Sequence, residues 1–161
     1  MPLLTEYTSF ADAQTHCSKE RLWELFDGSR DSINIAHECI DRHPRDRVAV
    51  RIALAAGGSE SITFGELSDW AGRYANYLRA QGIGPGERVA LMVEPSLPFY
   101  VALYGAMKAG CVAVPLFTLF GPDGLRLRVG DCQPKLLLLA PEKADLAADA
   151  GCNVAIADDD F

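Results

Sequence analysis

Residues 88–116 read RVALMVEPSLPFYVALYGAMKAGCVAVPL. Val89–Val93 is a short unbroken apolar run, which suits a strand buried on both faces. Pro98–Ala109 is apolar on nearly every side, so the spacing predicts a helix packed on several sides. Gly110 closes that helix, and Cys111–Leu116 predicts a second strand, ended by Pro115. From Pro95 to Pro122 the single charge is Lys108. A membrane span would explain such a stretch, but it needs about 20 apolar residues without breaks. Pro98, Gly105, Gly110 and Pro115 interrupt this one, so the reading is strand–helix–strand in a buried α/β core.

The pattern extends in both directions. Downstream, Asp123–Asp131 predicts a helix, Lys135–Ala140 a strand with four consecutive leucines, Glu142–Ala150 a helix closed by Gly151, and Asn153–Ala157 a last strand. Upstream, Leu67, Ala71, Tyr74 and Leu78 repeat at helical spacing, and Trp70 and Ala75 widen the stripe. Thr63 and Glu66 stand three apart, as a capping box requires. Gly82 ends this helix, and Gly84-Pro85-Gly86 fits a type II turn. Arg47–Ala56 and Ser61–Phe64, joined through Gly57-Gly58, predict a hairpin. Asp31–His43 predicts a helix capped by Asp31 or Ser32, and residues 9–27 predict another capped by Thr8 or Ser9. The fold class expected is α/β: a mostly parallel sheet covered by helices, with an N-terminal hairpin. Residues 1–31 read as a helical extension and residues 32–161 as the α/β unit. Ligands in such folds sit beyond the carboxyl ends of the strands.

The chain has 161 residues and a net charge of −7. The charge divides as −3 over residues 1–80 and −4 over residues 81–161. No half is basic, which excludes a general positive field for nucleic acid or anionic membrane. The five cysteines, Cys17, Cys39, Cys111, Cys132 and Cys152, form no CxxC pair. Their odd number argues against a disulfide framework and for reduced thiols in the cytoplasm. Residues 1–6 carry neither the basic nor the apolar region of a secretory signal.

Several chemical motifs fail on inspection. His37-Glu38 opens an HExxH pattern, but Asp41 stands where the second histidine belongs. Gly82, Gly84 and Gly86 precede a strand instead of following one, and Pro85 removes an amide donor, so they form no phosphate cradle. His16 and Cys17 are adjacent, which on a helix turns them about 100° apart. Asp158-Asp159-Asp160 reads as a solvated acidic tail. No catalytic or metal-binding constellation emerges, so no residue is assigned a catalytic or metal role.

Two segments together carry a more specific signal. Ile62-Thr63-Phe64-Gly65-Glu66-Leu67 resembles the first core motif of the adenylate-forming superfamily, close to L-T-Y-x-E-L. Met107-Lys108-Ala109-Gly110-Cys111-Val112-Ala113-Val114-Pro115-Leu116 resembles the second, K-A-G-x-x-x-x-P-L. The resemblance runs from about Asn34 to Ala157. Ile35–His43 looks like a segment near the start of acetate-, propionate- and medium-chain acid–CoA ligases. Phe117-Thr118-Leu119-Phe120-Gly121-Pro122-Asp123 is similar to the F-G-G-F-S-P-E loop of acetyl-CoA synthetases, which lies near bound coenzyme A. Phe117 matches it, whereas Thr118 and Leu119 replace two glycines. Arg128 and Asp131 match an arginine and an aspartate there, and i,i+3 spacing lets them pair.

The resemblance implies a partial N-terminal domain of the adenylate-forming fold. It implies a ligase that joins a small-molecule carboxylic acid to coenzyme A through an acyl-adenylate, with ATP and Mg²⁺. It also implies that the phosphate loop, the ribose-binding aspartate and the catalytic lysine lie beyond Phe161. The expectation is therefore an N-terminal portion, inactive alone. Of its residues only Phe117 is placed near a cofactor. A second expectation is a non-catalytic module that associates with itself or a partner through an uncovered sheet edge.

Overall fold

The computed structural model describes residues 1–54 and 57–158. Its centre is a four-stranded parallel sheet in the order β4-β3-β5-β6. The strands are β3 (Arg88–Met92), β4 (Val112–Pro115), β5 (Leu136–Leu139) and β6 (Asn153–Ile156). Side chains on a strand alternate between faces, so an all-apolar strand needs cover on both. Val89 and Leu91, with Leu136 and Leu138, face α3 (Phe64–Ala80) and α4 (Leu97–Lys108). Ala90 and Met92, with Leu137 and Leu139, face α5 (Pro122–Cys132) and the 3₁₀ turns of Pro141–Asp149. This is why four leucines in a row form a strand here: all four are buried.

The hairpin is β1 (Val48–Ala53) against β2 (Ser59–Thr63), antiparallel. Ala55 and Ala56, assigned to its first arm from the sequence, lie outside the described residues, as do Asp159 and Asp160. Glu87 N–H donates to the Gly84 carbonyl at 3.1 Å and Gly86 has φ of 81°, so the Gly84–Glu87 turn is type II as expected.

Three expectations are corrected. Residues 9–27 form two short helices, α1 (Phe10–Thr15) and α2 (Lys19–Trp23). Ser18 breaks the run because its hydroxyl accepts the Arg21 N–H and starts a new helix. The helix expected over Asp31–His43 begins only at Ile35. Asn34 caps it, accepting the N–H groups of Ala36 and His37, while Ser29 and Ser32 pair with each other upstream. From His37 to Asp41 this helix widens into a π-helical turn. Glu142–Ala150 is replaced by 3₁₀ turns behind Pro141.

Candidate functional site

The strand order reverses around β3. The chain passes from β3 to its neighbour β4, then crosses back to β5 on the other side. The space beyond the carboxyl ends of β3 and β5 is therefore where this topology offers a ligand site. Glu94 follows β3 there, and Phe117-Thr118 follow β4. The buried Thr118 hydroxyl donates to the Glu94 carboxylate. That bond ties the loop after β4 to the end of β3. Phe117 stands in solvent, 60% exposed, with its ring edge-on to Phe120 at 5.7 Å. The Arg128 guanidinium lies 3.5 Å over the Phe120 ring and donates to the Gly124 carbonyl at 2.9 Å. It takes these partners in place of the ion pair with Asp131 that the spacing permits. Arg128 of α5 thus packs on Phe120, and the Phe120 ring in turn meets Phe117 in the loop after β4.

The two sequence motifs lie elsewhere and perform structural work. In the first, Thr63 accepts the Glu66 N–H at 3.2 Å, and Glu66 accepts the Thr63 N–H at 2.9 Å. The Thr63 N–H, foremost, and the Thr63 hydroxyl, at 2.8 Å, both donate to the Glu66 carboxylate and hold it below its usual range. Gly65 suits its place, since a Cβ there would lie 3.0 Å from the Arg45 carbonyl oxygen and press that backbone aside. In the second, Lys108 Nζ donates to Asp41 Oδ1 at 2.8 Å and to the Ser68 carbonyl at 3.2 Å. Ser68 Oγ donates to the same Asp41 oxygen at 2.7 Å. Lys108 thereby ties α4 to α3 and to the π turn, a role that the sequence did not signal because Asp41 is distant in the chain. Replacing it, as Lys108→Met, is expected to cost about 1–2 kcal/mol, since the charged bonds are only partly buried. Urea denaturation measures this as a lower midpoint at unchanged slope.

The remaining candidates form no catalytic pair. His37 Nε2 meets Asp27 Oδ2 at 3.0 Å. His16 stacks on Tyr7 at 5.2 Å, so it does not act on Cys17. Burial pushes the Cys111, Cys132 and Cys152 thiols up, which keeps them protonated and poorly nucleophilic at neutral pH. Among the described residues no group of three His, Cys, Asp or Glu side chains could hold a metal ion. Among them, too, no helix is long and apolar enough to cross a membrane.

Comparison with known proteins decides the family. Residues 36–160 match the AMP-binding enzyme family. The chain belongs to the AMP-binding enzyme family. It is 34% identical over 136 residues to an acetyl-coenzyme A synthetase of Bradyrhizobium diazoefficiens, covering 78% of this chain and 21% of that protein. It is 34% identical to a 3-hydroxybenzoate–CoA ligase of an Aromatoleum species, covering 71% of this chain and 22% of the relative. Its fold superposes on an acyl-CoA synthetase of Brucella canis with a TM-score of 0.84 at 30% identity. That match covers 91% of this chain and 28% of the Brucella chain. The chain therefore spans about a fifth of the curated AMP-binding relatives it matches. Its α/β fold with antiparallel hairpin agrees with the expected part of the adenylate-forming architecture.

Proposed function

We propose that this chain forms the N-terminal part of an ATP-dependent carboxylic acid–CoA ligase. The observation that carries this reading is the match of residues 36–160 to the AMP-binding family, within a fold shared with an acyl-CoA synthetase. In the proposed reaction a carboxylate attacks the α-phosphate of ATP, giving acyl-adenylate and pyrophosphate. The coenzyme A thiol then takes the acyl group and releases AMP. When bound, Mg²⁺ would offset charge on the phosphates. We assign no adenylation step to residues of this chain, and propose that alone it makes no acyl-adenylate, since it spans about a fifth of the length of the relatives it matches. Its contribution to the ligand site is the carboxyl edge, with Phe117 beside coenzyme A. A cytoplasmic location accompanies this reading and suits five free thiols.

The test is a chimera in which residues 36–158 replace the equivalent segment of the Brucella canis acyl-CoA synthetase. The folded chimera is expected to form acyl-CoA. A folded chimera without that activity would overturn the ligase reading. Isolated chain is expected to give no ATP–pyrophosphate exchange with short and medium carboxylates, and exchange above background would refute its inactivity.

The sheet edge supports a second reading, a non-catalytic module that associates with a partner or itself. Among the described residues β6 pairs only with β5. A groove of about 590 Å³, lined by Trp70, Tyr77, Leu97, Pro98 and Val101, runs beside it. Open edges of this kind invite pairing. Light scattering on a sizing column distinguishes an associated species from the 17.4 kDa monomer.

A further inference from the structure

Residues 1–31 touch the rest of the chain sparingly. The turn Leu4–Glu6 and helices α1 and α2 bury no residue. None of the three packs broadly against another element. Phe10 is 82% exposed. Helices of five or six residues are not stable by themselves in water. What holds this segment is a polar cluster between residues 25–28 and the helix that follows, together with the backbone pair of Ser29 and Ser32.

Glu38 is the centre of that cluster and is only 8% exposed. Its carboxylate accepts the Gly28 N–H at 2.7 Å and the Asp27 N–H at 3.2 Å. Arg42 donates to Glu38 at 2.6 Å and to the Leu25 carbonyl at 2.8 Å, and pairs with Asp27 at 3.0 Å. His37 closes the ring on Asp27. Gly28 suits its place, since a Cβ there would lie 2.8 Å from the Ser32 carbonyl oxygen. Burial opposes ionisation of Glu38, but the two backbone donors and Arg42 outweigh it and hold the carboxyl below its ordinary value.

The same turn is anchored independently on its other side. Residues three apart share a face of an α-helix, but the wider π turn parts Glu38 from Asp41. Asp41 binds Lys108 and Ser68, whereas Glu38 binds the segment before it. The anchor to α3 and α4 therefore does not use the bonds that hold residues 1–31. We propose that Glu38, Arg42 and Asp27 form a clasp, through which residues 1–31 open from the α/β body and close onto it as a unit while the body stays folded. This does not depend on the ligase reading, because it concerns contacts within the chain.

Hydrogen exchange on the full chain, read peptide by peptide, tests the clasp. Residues 10–28 are expected to exchange faster than residues 64–92, as a separate opening unit. Glu38→Gln and Arg42→Met each remove a charged bond, and should speed exchange in 10–28 by about tenfold or more while leaving 64–92 unchanged. Should either variant fail to fold, Asp27→Asn decides, since it alters only the exposed end of the clasp. It should speed the same peptides about twofold to fivefold. Exchange of both regions at one rate in the natural chain would overturn the proposal. So would variants that accelerate both regions together, or neither.

Discussion

Leu138→Ala is expected to destabilise the chain by about 3–5 kcal/mol, near the upper range for a buried leucine. Leu138 is 0% exposed and stands in β5, with β3 on one side and β6 on the other. The lost methyl groups leave a cavity that a sheet paired on both sides cannot collapse into. For a chain of this size the melting temperature should fall by about 10 °C. Circular dichroism during heating measures it. Leu127→Ala is the control, because Leu127 on α5 is 71% exposed. That variant should change stability by less than about 0.5 kcal/mol. Similar losses from the two variants would mean that the four leucines are not the doubly covered centre.

Gly105→Val is the second substitution with a large expected effect. Helices α3 and α4 approach closely at this point. A Cβ on Gly105 would lie 2.8 Å from the Ala71 carbonyl oxygen and 2.8 Å from Tyr74 Cδ1. The oxygen belongs to the backbone and Tyr74 is buried, so neither can yield cheaply. The variant should lose about 3 kcal/mol, the upper range for forcing atoms into a packed core. Gly72 gives the opposite sign. It also lies in a helix, but a Cβ there meets nothing within 4 Å. Gly72→Ala should therefore stabilise the chain by about 0.5–1 kcal/mol, through helix propensity alone. Denaturant midpoints for the pair decide whether the close approach or the glycine itself matters.

These contrasts show what could be read from the residues. The parallel sheet was legible because Val89–Val93 and the leucine run are apolar at every position and too short for a helix, a pattern that suits a doubly covered strand. The α3 start was legible because Thr63 and Glu66 signal each other within one turn. Errors arose where two local signals competed. Ser9 and Ser18 both cap, and the second ended the helix that the first began. Asn34 won over Asp31 and Ser32 because its side chain accepts two N–H groups, while the Ser32 backbone is paired with that of Ser29. The candidate site was partly legible. Resemblance pointed to Phe117, but the Thr118–Glu94 bond and the seat of Arg128 on Phe120 depend on how β3, β4 and α5 meet in space. The tie from Lys108 to Asp41 was hidden for the same reason, since it links residues 67 apart.

The strand order has a further consequence while the protein is being made. Of the four parallel strands β3 leaves the ribosome first, yet it ends between two others. β4 can join it early. Its other side waits for Lys135 and Ala140, whose N–H groups meet the carbonyls of Arg88 and Met92. At roughly 5–20 residues per second, that side stays open for a few seconds of translation. During this interval the nascent chain presents a bare row of amides beside Val89, Leu91 and Met92. Neighbouring chains on the same messenger can occupy that row before β5 arrives. The yield of folded protein is therefore expected to fall when synthesis between β3 and β5 is slowed or ribosomes are closely spaced.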